Sequence, residues 1–375
     1  MRILALEPYF GGSHRAFLDG WSSHSSHQFT VLGLPAHKWK WRMRHSAITF
    51  TEQVQALMAD RSSFDLVFCS DMLNLAEFKG LAPEPVRRLP AVVYFHENQL
   101  TYPVQREDER DLHFGMINFT TALAADRVWF NSIFHRDAFL EALSAFLRRM
   151  PDYNHAELVD MLTRKAAVYP QGINHPAPPN RRLPGPPRIL WVARWEHDKN
   201  PELFFEAIYR LQDEGCDFSL SVIGEQFHDT PNKFNAAHSH LKGRIGRWGF
   251  QPTRLEYERA LSEADIVVST ADHEFFGVSV VEAAAAGAYP LLPRRLAYPE
   301  IFEAEDDSSA TEFFYDGSLD DLVEKLRVLL AAAVGGRLWE RRPDRLSSVV
   351  EKYYWPNLAP RLDAALDKLV SRTAG

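Results

Sequence analysis

DIVVSTADHEFFGVSVVEAAAAGAYPLLP, Asp265 to Pro293, is the stretch from which this chain is read. Asp265–Thr270 is an apolar, β-branched run of the kind that forms a buried strand, and Ala283–Ala286 followed by Gly287 reads as the end of a short helix. In an α/β protein the tight turn between them falls at the carboxyl edge of a parallel sheet, where ligands bind. Backbone N–H groups of Phe276, Gly277 and Val278, with Phe275 beside them, are expected to face the occupant of that edge. A helix N-terminus favours an anion by ~0.3–1 kcal/mol, so a phosphate is the expected guest.

Two carboxylates flank the turn, Glu274 and Glu282, with seven residues between them. Neither would hold a phosphate, so a guest that also carries hydroxyl donors, as a sugar does, suits them. The pair fits equally a helix-capping Glu274 and a solvated Glu282.

A chain of 375 residues exceeds what one core usually holds, and two domains are expected. The 46% apolar and 25% charged content is that of a soluble globular protein. No stretch approaches the length of a membrane span, and Met1 leads straight into RILALEP, so neither secretion nor membrane association is expected. Cys69 and Cys216 lie in or beside apolar runs, which suggests free thiols in a reducing, cytoplasmic setting. A net charge of −8 excludes a uniformly basic nucleic-acid binder but permits a local basic patch.

Apolar runs at Arg2–Pro8, Phe29–Pro35, Leu66–Asp71, Ala91–Glu97, Arg127–Ser132 and Ala166–Gly172 alternate with helix-capable segments or loops, the rhythm of a parallel sheet. A second series follows at Arg188–Arg194, Phe218–Glu225, Ile245–Phe250, Ile266–Thr270 and Ala288–Leu292. The fold class is therefore α/β, two Rossmann-like domains with a cleft between them. The domains are expected at residues 1–175 and 188–352, joined by the stiff PAPPNRRLPGPP connector of 176–187, with 353–375 as a terminal helix. Leu319–Ala333 and Asn357–Thr373 have helical spacing, and Tyr353, Tyr354 and Trp355 precede the last helix.

RWEHDKNP, Arg194 to Pro201, follows the first strand of the second series and brings Arg194 and Lys199 to the sheet edge expected to carry Gly277. Two cations suit a diphosphate and would stabilise charge on a departing nucleoside diphosphate. Asp198 and Asn200 are expected to brace the loop. In the first series PYFGGSHRAF offers Gly11 and Gly12 for close backbone approach, with Ser13 read as a helix cap and His14 after it. YFHENQLTYP ends another strand with His96, Glu97 and Asn98, and FNSIF ends the next.

The Glu-x7-Glu turn with Phe276 and Gly277 inside it resembles the signature of the retaining GT-B glycosyltransferases of family 4. In that family the first Glu sits by the donor sugar and the second by the nucleotide ribose. FGGSH, FHENQLTYP, FNSIF and RWEHDK together are similar to the subgroup that includes the tRNA-queuosine mannosyltransferases, over nearly the whole chain. That resemblance implies transfer of mannose from GDP-mannose to the cyclopentenediol of queuosine in the anticodon loop of an aspartate tRNA, through an alpha linkage. It makes Glu274, His96, Arg194 and Lys199 the catalytic set, with His96 orienting the mannose. Gly11, Gly12, Gly224, Phe275, Phe276, Gly277, Val278 and Glu282 become donor contacts, and Ser13, His14, Glu97 and Asn98 acceptor contacts. A terminal helix that crosses back to the first domain is a further family trait. GEQFHDTPNKF after Gly224 lacks the second glycine common in family 4, and Gln171 and Asn174 stand where Asn and Asp are frequent, so guanine is inherited from the subgroup alone.

No Asp-x-Asp occurs, so no metal and no cofactor is expected, with Arg194, Lys199 and the Gly277 helix end in its place. Retention without an evident protein nucleophile implies front-face attack. A tRNA partner needs cationic surface, and HKWKWRMRH interleaves Lys38, Lys40, Arg42 and Arg44 with Trp39 and Trp41, read as a loop or an edge strand. Arg148 and Arg149, Arg181 and Arg182, and Arg341 and Arg342 are lesser candidates. No protein partner is evident. A family 4 enzyme with another sugar nucleotide and a small or lipid-linked acceptor, and a non-catalytic RNA- or nucleotide-binding protein on the same scaffold, are the competing readings.

Overall fold

The computed structural model describes residues 1–375 except 61, 105, 107–109, 176–183, 227–231, 303–311, 339–344 and 374–375, and it omits the side chains of 345, 347, 348 and 373. Most of the Pro-rich connector, the Arg181–Arg182 and Arg341–Arg342 pairs and the middle of the segment after Gly224 lie outside the described residues. The chain forms two compact units, Met1–Gly172 with Trp355–Gly375, and Ile173–Tyr354.

The first unit is a six-stranded parallel sheet of β1 (Arg2–Phe10), β2 (Gln28–Pro35), β3 (Leu66–Ser70), β4 (Ala91–Phe95), β5 (Arg127–Phe130) and β6 (Ala166–Val168), in the order β2-β1-β3-β4-β5-β6. Alternation along each strand feeds two cores. Leu4 and Leu6 enter one with Phe50, Phe78 and Phe139, while Ile3 and Ala5 enter the other with Phe17, Trp21 and Trp129.

The second core is completed from the end of the chain. Leu358, Leu362 and Leu366 of the Trp355–Thr373 helix are fully buried in it, each contributing ~1.5–3 kcal/mol. Trp355 fits there because Gly20 and Gly172 lack side chains; a Cβ on either would fall 2.0 or 2.5 Å from its ring atoms. Asp363 accepts from Trp21 Nε1 at 2.9 Å, the Ser25 hydroxyl at 2.7 Å and the Ser26 amide at 2.7 Å. The aromatic cluster thus divides, with Tyr353 packing on Phe276 of the second unit and Trp355 on Phe17 of the first.

The second unit is a parallel sheet of β7 (Arg188–Val192), β8 (Ser219–Ile223), β9 (Ile245–Gly249), β10 (Ile266–Val268), β11 (Tyr289–Pro293) and β12 (Phe314–Tyr315), ordered β12-β11-β10-β7-β8-β9. The expected strands are all present in the two sheets; most end earlier than expected, while β1 runs on to Phe10, β2 begins at Gln28 and β11 is shifted to Tyr289–Pro293. β12, at two residues, is too brief to show any periodicity in the sequence. In each unit the strand order reverses beside the first strand, between β1 and β3 and between β7 and β10. Such switch points open a crevice at the carboxyl ends of the strands.

Candidate active site

At the β7/β10 switch point the Val278–Ala285 helix starts from Gly277, whose φ of +82° is strained for any other residue. A Cβ there would also meet Tyr298 at 2.8 Å. Tyr298 is fixed in turn by a 2.7 Å hydrogen bond with Ser269, and Ser279 ties the first turn to β7 by donating to the Val192 carbonyl at 3.1 Å. The helix's opening N–H groups are held over the strand ends. Phe275 and Phe276 are buried, one edge-on to His273 and the other to Tyr353, so their rings pack and only their backbone is left for a donor.

Lys199 arrives at the same point from β7. The turn His197–Lys199 and the left-handed Asn200, whose side chain accepts from Leu203 N, carry the chain into the Pro201–Asp213 helix. Thr270 locks that turn by donating to the carbonyls of Lys199 and Asn200, both at 2.9 Å. Lys199 Nζ donates to the His273 carbonyl at 2.7 Å and stands 2.9 Å from Asp198 Oδ2 and 3.4 Å from Glu274 Oε2. Burial acts to strip its proton, but Glu274 and Asp198 outweigh this and hold it charged. Burial and the Lys199 charge together push His273 down to about 4, so its ring is neutral at pH 7. Arg194 pairs with Glu196 at 3.0 Å and is near enough to Lys199, Asp198 and His273 to influence all three.

Glu282 lies farther along the helix. Its oxygens accept from Arg254 at 2.8 Å and from the Tyr257 hydroxyl at 2.7 Å. It is therefore neither a solvated helix position nor a lone acid. Gly224 has φ +154°, and a Cβ would lie 1.7 Å from the Ala193 carbonyl oxygen, so its glycine requirement comes from packing of β8 against the β7 exit. Asp198, His273, Ser279, Tyr298, Arg254 and Tyr257 join the site without having been singled out as ligand contacts, since their partners lie on other elements.

The first unit gathers a second polar group at its own switch point. Glu7 leaves β1 with Oε1 accepting from the Tyr9 amide and the Ser70 hydroxyl, both at 2.9 Å, and Oε2 3.2 Å from His14 Nδ1. His14 stacks on His96, ring centroids 4.0 Å apart. Burial alone would lower the His14 pKa, but Glu7 carries it up to about 9. Burial, with the nearby charges of His14 and His135, holds His96 well below the usual imidazole range. Asp71 accepts the His96 amide at 2.9 Å. A charged residue closing an apolar strand is the signal that the sequence carries for Glu7 and Asp71.

The ligand atoms of Glu7, His14 and His96 lie within 4.8 Å of one another, a spacing that suits a cation. The two imidazole rings are stacked, with their planes 29° from parallel.

Other first-unit candidates take different positions. Gly11, not Ser13, occupies the N-cap of the Gly12–His24 helix, and the Ser13 carbonyl instead accepts from Gln171 at 3.0 Å. Gly12 has φ +50° and open space around it, while Gly11 abuts Ala36. Asn98 is fully buried and spends its amide on Leu100 N, Thr101 N and the Thr101 hydroxyl, so it shapes a turn rather than facing an acceptor. Glu97 accepts from Gln99 at 3.1 Å.

The basic stretch is neither loop nor edge strand. Trp39 opens the Trp39–Ala59 helix, where Trp39 and Met43 pack with Phe114, Met72 and Tyr9, and Lys38, Lys40, Trp41 and Arg44 are exposed. The alternation that suggested a strand dissolves because helical spacing selects Trp39 and Met43 and leaves Trp41 59% exposed. Arg42 is occupied by the Pro35 carbonyl, His37 and His45.

Two Rossmann-like parallel sheets, each with polar side chains gathered at its switch point, are the architecture of the GT-B class of glycosyltransferases. The fold is shared with starch synthase IV of Arabidopsis thaliana (TM-score 0.70, 11% identity, 99% of both chains) and sucrose-phosphate synthase of Thermosynechococcus elongatus (TM-score 0.69, 14% identity, 99% of this chain and 100% of that one). Residues 177–336 match the model of glycosyl transferases group 1, and residues 2–173 that of the tRNA-queuosine alpha-mannosyltransferase N-terminal region. The tRNA-queuosine alpha-mannosyltransferase of Drosophila melanogaster is 37% identical over 316 residues, 81% of this chain and 82% of that protein. The chain belongs to the tRNA-queuosine alpha-mannosyltransferase family.

Proposed function

We propose that the chain transfers mannose from GDP-mannose to the cyclopentenediol of queuosine in the anticodon loop of tRNA-Asp, with retention at the anomeric carbon. Family membership supports the acceptor and the sugar. The observation that carries the chemistry is Lys199 Nζ, 3.4 Å from Glu274 at the start of the Gly277-capped helix.

In this reading the diphosphate lies over that helix start. Lys199 and Arg194 meet the charge that develops as it departs, charge-assisted contacts being worth ~1.5–3 kcal/mol each. Glu274 takes a hexose hydroxyl and Glu282, steadied by Arg254 and Tyr257, the ribose. The acceptor hydroxyl enters on the face from which the diphosphate leaves, and a diphosphate oxygen takes its proton. No metal has a part. Phosphates of the tRNA fall on Lys38, Lys40 and Arg44, with Trp41 available for stacking. His14 and His96 serve hydroxyl recognition at the first sheet. A cytoplasmic setting fits the free Cys69 and Cys216, and no described helix is long and apolar enough to cross a membrane.

Incubation with labelled GDP-mannose or UDP-sugars and with tRNA that contains or lacks queuosine tests the proposal. Label from GDP-mannose is expected only on queuosine-containing tRNA. Label from a UDP-sugar, or on a small acceptor alone, would overturn it.

A further inference from the structure

Among the described residues, Arg42 is bonded to three neutral acceptors and to no acid. Its Nε donates to the Pro35 carbonyl at 3.0 Å, Nη1 to His45 Nε2 at 2.9 Å and Nη2 to His37 Nε2 at 3.1 Å. A guanidinium only donates, so each imidazole nitrogen facing it presents a lone pair. The proton of His45 is then on Nδ1, 2.9 Å from the Thr49 hydroxyl. Two of the five guanidinium N–H groups are left over, one on each terminal nitrogen.

The surroundings do not neutralise this charge. No Asp or Glu occurs from Ala36 to Thr51, and the first turn of the Trp39–Ala59 helix holds no acid. The charged groups around Arg42 are Lys38, Lys40 and Arg44 from its own turn and Asp111, which caps the Leu112–Ala124 helix and pairs with Arg44 at 3.7 Å. Cations gathered at the positive end of a helix dipole are unfavourable. Burial, and after it the Arg42 charge, hold His45 below the usual imidazole range. An anion at this turn relieves both.

A phosphate oxygen is a stronger acceptor for a guanidinium than an imidazole is, because that bond is charged at both ends. Once it displaces a histidine from Arg42, the released ring can take up a proton and donate to the same phosphate. Trp41, 59% exposed, has its ring 5.1 Å from that of His45, so an aromatic surface adjoins the guanidinium. A nucleic-acid strand alternates an anion with a stackable base and suits both features. β2 ends at Pro35, which puts the group at the carboxyl edge of the first sheet.

We propose that His37, Arg42 and His45 form a clamp for one RNA backbone phosphate, with Trp41 taking the neighbouring base and a histidine gaining a proton as the phosphate binds. This rests on the tRNA reading above. It adds to the exposed Lys38, Lys40 and Arg44 a contact whose strength depends on pH.

The test is a binding titration of the full chain with a queuosine-free tRNA transcript at pH 6 and pH 8 and one ionic strength. Wild-type protein should bind roughly tenfold more tightly at pH 6, because uptake of one proton is linked to affinity. His37→Gln/His45→Gln keeps neutral acceptors for Arg42 but cannot take up the proton, and it should lose most of that difference. Arg42→Gln should weaken binding at both pH values and flatten the salt dependence by ~0.7–0.9 in slope.

Wild-type affinity that is equal at the two pH values overturns the proposal. So does a pH difference undiminished in His37→Gln/His45→Gln, or an unchanged salt slope in Arg42→Gln. Anionic phospholipid vesicles that show the histidine-dependent response when RNA does not would assign the clamp to a lipid surface and overturn the RNA assignment. Mannose transfer to queuosine tRNA without pH-dependent binding would remove the clamp and leave the enzymatic reading standing. The pH-dependent binding without transfer would do the reverse.

Discussion

Lys199 Nζ and Glu274 Oε2 stand 3.4 Å apart although 75 positions separate them in the chain. Neither is an idle surface charge. Lys199 is 6% exposed and shares its ammonium among Glu274, Asp198 and the His273 carbonyl, which makes it the desolvated cation that the proposed function assigns to the diphosphate.

Glu274→Ala should therefore lower mannose transfer by at least ~10²-fold while the melting temperature stays near that of the wild type, because Glu274 keeps partial exposure and Lys199 retains Asp198. Lys199→Ala should lose transfer and stability together, by roughly 3–5 kcal/mol, since two carboxylates lose their counter-charge. Turnover and denaturant unfolding on both variants check this pair of outcomes. Near-normal turnover in Glu274→Ala would remove the donor-site assignment.

Transfer should be unchanged in excess chelator. Under the proposed function Lys199, Arg194 and the helix start would hold the positive charge at the diphosphate, and activity that requires added divalent ion would contradict that placement.

Neutralising Lys38, Lys40 and Arg44 should weaken tRNA binding and flatten its salt dependence by ~0.7–0.9 in slope for each phosphate that is no longer neutralised. Arg42 is left intact because it braces the helix start through the Pro35 carbonyl. An unchanged slope in a binding titration across salt concentrations would discard this surface.

His14 makes stability depend on pH. Its folded pKa of about 9 exceeds the ordinary 6.5, so the Glu7 interaction stabilises fully below pH 6.5 and is lost as pH rises through about 9, a contribution on the order of 3 kcal/mol. Unfolding free energies measured between pH 6.5 and 9.5 should show this decline in the wild type. In Glu7→Gln stability should be lower at pH 6.5 and nearly flat above it.

Gly20→Ala should destabilise the first unit by ~1–3 kcal/mol or more, because the new methyl meets Trp355 Nε1 at 2.0 Å. Asp363→Ala should cost a comparable amount by orphaning the buried Trp21 indole N–H. Thermal melts of the two variants check both.

Much of this was legible in the sequence for a local reason. Apolar β-branched runs announce buried parallel strands whatever surrounds them, and a turn that needs Gly277 announces itself because one residue type tolerates its backbone. Arg194, Lys199 and Glu274 each follow the end of such an element, so their approach to one sheet edge could be expected from spacing. What spacing could not supply was strand order. Glu7, Asp71 and His96 come together because β1, β3 and β4 are neighbours, and Glu282 finds Arg254 and Tyr257 because two helices lie side by side. The Lys38–Arg44 alternation was decided the same way, as the burial of Trp39 and Met43 against Phe114 outweighed a two-residue pattern and wound the stretch into a helix. Periodicity reports what one element prefers; which side chains meet is settled only when the elements pack.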